Sequence, residues 1–133
     1  MKYANIVLAA YFICSGLFLY TFHNDTYIYA SKYSAAFDLL HLPTQPLIVY
    51  LYAYTANCIL LIATGIATLI GLSKLYKILS LISTLLICAT IDNPLTADPD
   101  NRMRRIIYCH VHLAILVIML SMHEESKPKE KNN

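Results

Sequence analysis

The sequence predicts an all-α fold, an integral membrane four-helix bundle with a short interfacial helix in its first loop. Three observations carry this. Of 133 residues, 58% are hydrophobic and 14% charged, against about 25% charged in soluble domains, and the mean hydropathy is +0.54. The charges lie almost wholly between apolar runs. Those runs number four, each near or above the roughly 17–25 residues that cross a bilayer as a helix, and in lipid a helix lets one segment satisfy its own backbone groups.

The first run, Ala4 to Phe22, follows Lys2 and resembles a signal peptide in its charge order. It is longer than a typical signal core and lacks a convincing small-x-small cleavage site, so it is expected to remain as a spanning helix. The first loop reads "HNDTYIYASKYSAAFDLLHLPTQP". Within it Tyr33, Phe37, Leu40 and His41 fall at helical spacing, Ser31 is placed to cap a short helix and Pro43 to end it. Tyr27, Tyr29 and Tyr33 suit the headgroup level, where amphipathic rings gather.

The second run, Leu47 to Leu72, opens with Tyr50, Tyr52 and Tyr54, read as an interfacial belt, and offers small faces at Gly65, Ala67 and Gly71. Asn57 is the polar residue within it and is expected to point at another helix as packing contact. The third run, Leu75 to Ile91, carries Ser80, Ser83, Thr84 and Thr90, whose hydroxyls can bond back to their own helix. The fourth is Ile106 to Met122, its helix starting near Pro99 with Asp98 as N-cap. The chain thus divides into a four-helix domain over 1–123, with spans at about 4–22, 47–72, 75–91 and 106–122, and a polar tail over 124–133. That tail, in "HEESKPKEKNN", has the composition of a segment that orders only against a neighbour.

Lys and Arg in the loops set the orientation. The N-terminus, the 73–77 loop and the tail share one side and carry Lys2, Lys74, Lys77, Lys127, Lys129 and Lys131. The other side carries Lys32, Arg102, Arg104 and Arg105. The excess places both termini in the cytosol or mitochondrial matrix.

The stretch "DPDNRMRRIIYCHVHLAILVIML" concentrates the remaining chemistry. Arg102, Arg104 and Arg105 stand in the first turns of a helix, where cations are disfavoured by a few tenths to ~1 kcal/mol each. Anionic headgroups such as cardiolipin, or an acidic partner surface, would account for them; neutralisation by Asp92, Asp98 and Asp100 is the alternative. His110 and His112 lie about 200° apart around a helix and cannot share one metal. His23, His41 and His123 fall outside the spans, so no second histidine at similar depth is available for a haem. Arg102, Arg105, Cys109 and His112 share a stripe expected to face protein, with His112 a neutral, hydrogen-bonded residue at a helix interface. Cys14, Cys58, Cys88 and Cys109 are distributed one to each span. Cys88 and Cys109 fall toward the same membrane face, as a disulfide or as small buried thiols.

The order of features resembles the DoxX-like family of small four-helix membrane proteins. "FICSGLFLY" resembles the family's first helix with its small-residue turn. "LYAYTANCILLIATGIATLIGLSKLYKILSLISTLLICAT" resembles the long second helix and its tight hairpin into the third. "NRMRRIIYCHVHLAILVIML" is similar to the start of the family's fourth. The resemblance implies a four-helix membrane fold. Asn57 stands where the family often has an acidic residue early in the second helix.

Four spans and short links leave no room for a separate soluble catalytic domain. No Gly-rich phosphate loop, zinc motif, nucleophile elbow or internal repeat is present. The scarcity of glycine, with no Gly/Pro-broken helix pair, argues against a secondary transporter, and the lack of Asp or Glu in the four runs against a pump or channel. The expected function is a non-catalytic accessory subunit of a multi-subunit membrane complex, in the mitochondrial inner membrane and its respiratory, electron-transport machinery. Expected partners are other membrane subunits and an anionic lipid such as cardiolipin at Arg102, Arg104 and Arg105, with no nucleic acid and no cofactor. Asn57, Gly65 and His112 are expected to pack helix against helix. The alternatives are a small DoxX-like redox or quinone-associated protein and a membrane assembly factor.

Overall fold

A computed structural model describes residues 2–22 and 26–122. The order is α1 (Lys2–Phe22), α2 (Thr26–Leu39), α3 (Leu47–Ile70), α4 (Ser73–Ala89), a 3-10 turn (Pro94–Thr96) and α5 (Pro99–Ser121), with no strand among the described residues. Spans Tyr3–Thr21, Leu47–Ile70, Ser73–Thr96 and Pro99–Ser121 are long and apolar enough to cross a membrane. The chain is an all-α integral membrane protein. The polar tail, His23 and His123 lie outside the described residues.

Helix α3 is the hub. Helices α1, α2 and α4 all pack on it, while α5 packs on α4 and on the 3-10 turn. The α1–α3 contact is close because two glycines face it from opposite sides. A Cβ on Gly16 would stand 2.8 Å from the Cys58 carbonyl oxygen and 2.8 Å from Ile62 Cγ1. A Cβ on Gly65 would stand 2.5 Å from Ile13 Cγ1 and 2.8 Å from the Ala9 carbonyl oxygen. The antiparallel pair therefore meets backbone on side chain at two levels. In lipid, helices gain little by hiding apolar surface from one another, so such close packing carries the association.

Helix α3 ends where Gly71 takes φ 83°. The Gly71 N–H then reaches the Thr68 carbonyl at 3.2 Å and the Leu72 N–H the Ala67 carbonyl at 3.0 Å, a Schellman closure that turns the chain straight into α4. Ser80 and Ser83 bond back to the Lys77 and Ser80 carbonyls, and Thr64 and Thr68 to those of Leu60 and Thr64.

Helix α2 differs from the expectation in its start. It begins at Thr26, leaving Ser31 inside the helix rather than at its cap. A hydroxyl caps a helix only where the backbone is extended, and the helical pattern runs back past Ser31. The helix stops at Leu39, before Pro43, with His41 at φ 55° and the Leu42 N–H on the Phe37 carbonyl at 2.9 Å. Leu40 and His41 are thus exposed turn residues.

The tyrosine belt is also revised. Tyr50 and Tyr54 are buried with Tyr33, Cys58 and Ile91 in a core at the α2 end of the bundle, and only Tyr52 faces outward. Four-residue spacing puts Tyr50 and Tyr54 on one face and Tyr52 on the other. Each buried phenol is satisfied: the Tyr50 hydroxyl accepts from the Gln45 N–H at 3.0 Å, and Tyr54 donates to the Leu19 carbonyl. Phe37 meets Tyr50 edge-on, with ring centroids 5.3 Å apart. The opposite core gathers Phe12, Leu61, Tyr76, Ile87 and Met119.

Gly65→Ala should lower stability by about 1–3 kcal/mol, as in overpacked cores, because the atoms it meets include backbone. Gly71→Ala should cost about 1–2 kcal/mol through its left-handed backbone alone, since nothing lies within 4 Å of its Cβ position. Thermal melts followed by circular dichroism in detergent will measure both. An additional Ile13→Ala substitution should recover part of the first loss and none of the second.

Candidate functional site

The α4–α5 connection, "TIDNPLTADP", is wound back onto the end of α4. The Asp92 N–H takes the Ile87 carbonyl at 2.9 Å, and Asn93 Nδ2 the Ala89 carbonyl at 2.9 Å. Asn93 Oδ1 accepts from the Leu95 N–H at 2.9 Å, which starts the 3-10 turn at Pro94. Asp98 occupies the expected N-cap position of α5 with Pro99 next, but its side chain makes no cap bond. Its backbone carbonyl serves the Asn101 and Arg102 N–H groups. The connection is clamped to α5 by Arg105, whose Nη1 donates to the Asn93 carbonyl and the Thr96 hydroxyl, both at 3.1 Å.

This winding turns the Asp92 carboxylate toward α5 and builds a three-residue polar chain. His112 Nε2 lies 2.9 Å from Asp92 Oδ2, and His112 Nδ1 lies 2.6 Å from the Tyr11 hydroxyl. With a neutral His112 beside a carboxylate, Nε2 is the ring nitrogen that carries the hydrogen and Nδ1 takes the Tyr11 O–H. Three segments remote in sequence are joined: α1, the end of α4 and the middle of α5. The Cys109 thiol donates to the Asp92 carbonyl at 2.9 Å, and Cys88 and Cys109 are both free thiols.

The residues singled out from sequence take different places. His112 is in the polar chain, whereas His110 is exposed and bonds the Ile106 carbonyl of its own helix at 2.8 Å. Arg105 is half-buried at the connection. Arg104 is exposed at the rim of a cleft, and Arg102 is exposed rather than facing protein with Cys109 and His112. Helix α5 begins its first turns beyond the last turn of α4, which leaves Arg102 without a helix to pack on. Asp92, expected among the counter-charges of the arginines, is engaged by His112. Asn57 is buried, its Nδ2 donating to the Tyr33 hydroxyl at 3.1 Å, which ties α3 to α2. Burial pushes the Tyr33 phenol up, while hydrogen bonds with Thr90 and Asn57 pull it down.

Between α1 and α5 runs a cleft of about 900 Å³. Phe12, Phe18, Leu61, Ile87 and Ile115 give it apolar walls; Tyr11, Asp92 and His112 line it, and Arg104, Arg105 and Lys32 stand at its head. Lys32 comes from α2, which overhangs this end. Burial pushes the Lys32 ammonium below the ordinary lysine range, the neighbouring Arg105 charge adds to this, and Asp92 opposes it. Among the described residues no group of three His, Cys, Asp or Glu side chains is placed to hold a metal. The arrangement suits an amphiphile, with a cationic head region above apolar walls.

Tyr11, Lys32 and Asp92 were not among the site residues expected from sequence. The signal available was Asp92 itself, a carboxylate ending an apolar run directly before Asn-Pro, a pair that reverses the chain.

A double-mutant cycle on Tyr11→Phe and His112→Leu should return a coupling of about 0.6–1.7 kcal/mol, the range of hydrogen bonds within membranes. Zero coupling would mean the bond is absent in the folded protein. For Lys32, the unfolded chain holds the proton more tightly between the depressed value and the ordinary one near ~10.4, so stability rises with pH through that window. Lipid-free Lys32→Gln should therefore melt above the wild type at neutral pH, with the advantage shrinking as pH approaches ~10.

Comparison of the chain with protein-family models, with curated proteins and with solved structures finds no match.

Proposed function

We propose that this protein is a non-catalytic accessory subunit of a multi-subunit membrane complex, held in place partly by anionic lipid. The observation that carries this reading is the unclosed seam of the bundle. Helix α1 packs on α3 and α5 on α4, so the outer walls of the cleft stand apart, bridged at the Tyr11–His112 bond. A seam with a cationic head and apolar walls suits material from the membrane or from a neighbouring subunit. Arg102, Arg104 and Arg105 bring three forked cations to that end, and arginine matches phosphate and carboxylate geometry well.

The mitochondrial inner membrane and its respiratory complexes are the proposed home, with the termini on the matrix side. A second reading, a small DoxX-like quinone-associated protein, is favoured by the Tyr11–His112–Asp92 chain, which places hydrogen-bonding groups deep in a span, where such groups are usually functional.

Native electrophoresis of membranes in mild detergent, with mass spectrometry across the gel, should find the chain comigrating with a complex far larger than its own 15.1 kDa. Migration only as a monomer or small oligomer would remove the subunit reading, and a quinone in the purified material would then favour the second. Replacing Arg102, Arg104 and Arg105 together with Gln should loosen the subunit from its complex or deplete bound anionic lipid. Unchanged assembly and lipid content would leave the cluster with no part in docking.

A further inference from the structure

We propose that the α1–α5 cleft is a binding site for one anionic phospholipid, its phosphate held between Lys32 and Arg104 and an acyl chain laid along Phe18, Leu61, Ile87 and Ile115. This rests on the reading of the chain as a lipid-anchored membrane subunit and assigns that lipid a place.

Four features of the cleft select this occupant. The first is depth. From Arg104 to Ile115 the α5 wall runs about 16 Å at 1.5 Å per residue, close to the roughly 15 Å hydrocarbon depth of one leaflet. A lipid whose head lies at the arginine level would thus reach the end of the wall. The second is size. The cleft holds about 900 Å³, within the 300–1,000 Å³ range usual for small ligands.

The third is charge. Among the described residues lining the cleft, Lys32, Arg104 and Arg105 outnumber the two carboxylates, Asp98 and the deeper Asp92. The head therefore carries an excess of cation that a phosphate would complement. Arg105 is held by Asn93 and Thr96 and gives a fixed positive background. Arg104 is exposed at the rim and can turn to a ligand. The fourth is access. The cleft is bounded by two membrane-crossing helices and overhung by α2, so a ligand arrives sideways from the bilayer. A free phosphate would share the head chemistry but would leave the apolar walls unused.

The test uses the purified full chain, delipidated in detergent, with native mass spectrometry to count retained lipid. Phosphatidylglycerol and phosphatidylcholine of matched acyl chains are the probes, with inorganic phosphate and a short-tailed quinone as competitors. One phosphatidylglycerol should be retained in preference to phosphatidylcholine. Lys32→Gln and Arg104→Gln should each weaken that preference by roughly fivefold, with a smaller loss for the zwitterionic phosphatidylcholine than for phosphatidylglycerol. Ile115→Trp, which fills the apolar wall, should reduce retention of both lipids while circular dichroism keeps its helical signal. Equal retention of the two lipids, or a preference untouched by the cation variants, would overturn the proposal. So would displacement of the lipid by inorganic phosphate alone or by the quinone. A chain that comigrates with a large complex yet has no lipid preference loses this site and keeps the subunit reading. A chain that migrates alone but binds the lipid keeps the site and loses its subunit setting.

Discussion

The fold depends first on how closely α1 can approach α3. A bilayer supplies little hydrophobic drive between helices, so contact distance and fit do the work. Gly16 and Gly65 face this contact from opposite helices, each against the other helix's backbone and side chains. The approach brings Tyr54 to the Leu19 carbonyl and seats Phe12 against Leu61. It also sets where α1 stands relative to α5, because α4 packs on α3 and α5 on α4. The α1–α5 seam is the remainder of that geometry.

The polar chain at the seam is the second constraint. Leaving a buried carboxylate or imidazole unpaired is costly in a low-dielectric setting, and pairing it removes most of that cost. Asp92, His112 and Tyr11 satisfy one another across three segments. Their chain joins the seam at one level, between the cationic head and Ile115. Arg105 stiffens the same region by holding the α4–α5 connection through a carbonyl and a hydroxyl.

Helix α2 completes the head of the cleft. It is anchored by buried Tyr33, which receives the Asn57 amide, and by Phe37 against Tyr50. The same docking carries Lys32 over the cleft, close to Arg105. Two tyrosines that pattern alone assigns to the headgroup level, Tyr50 and Tyr54, instead build the floor on which α2 rests. Tyrosine serves either place, since its ring is apolar and its hydroxyl needs one partner.

The all-α class, the four spans, the α3–α4 hairpin, the helix in the first loop and the start of α5 at Pro99 were legible in the sequence. Each follows from local properties: run length, backbone satisfaction in lipid, the conformational freedom of Gly71 and the fixed φ of proline. Gly65 lies against Ala9 and Ile13, and His112 against Asp92 and Tyr11; nothing in the sequence marks these partners. Gly16 has no mark in sequence that distinguishes it from a lipid-facing glycine. Asp92 reads as a loop charge until the connection folds back and brings it to the depth of His112. Lys32 reads as an interfacial lysine until α2 docks over the seam. Run length and periodicity report what a segment does with its own backbone and which side it turns inward. The tertiary structure decides which inward faces meet and at what depth, because in this chain those meetings depend on close packing and on pairing groups up to 101 positions apart.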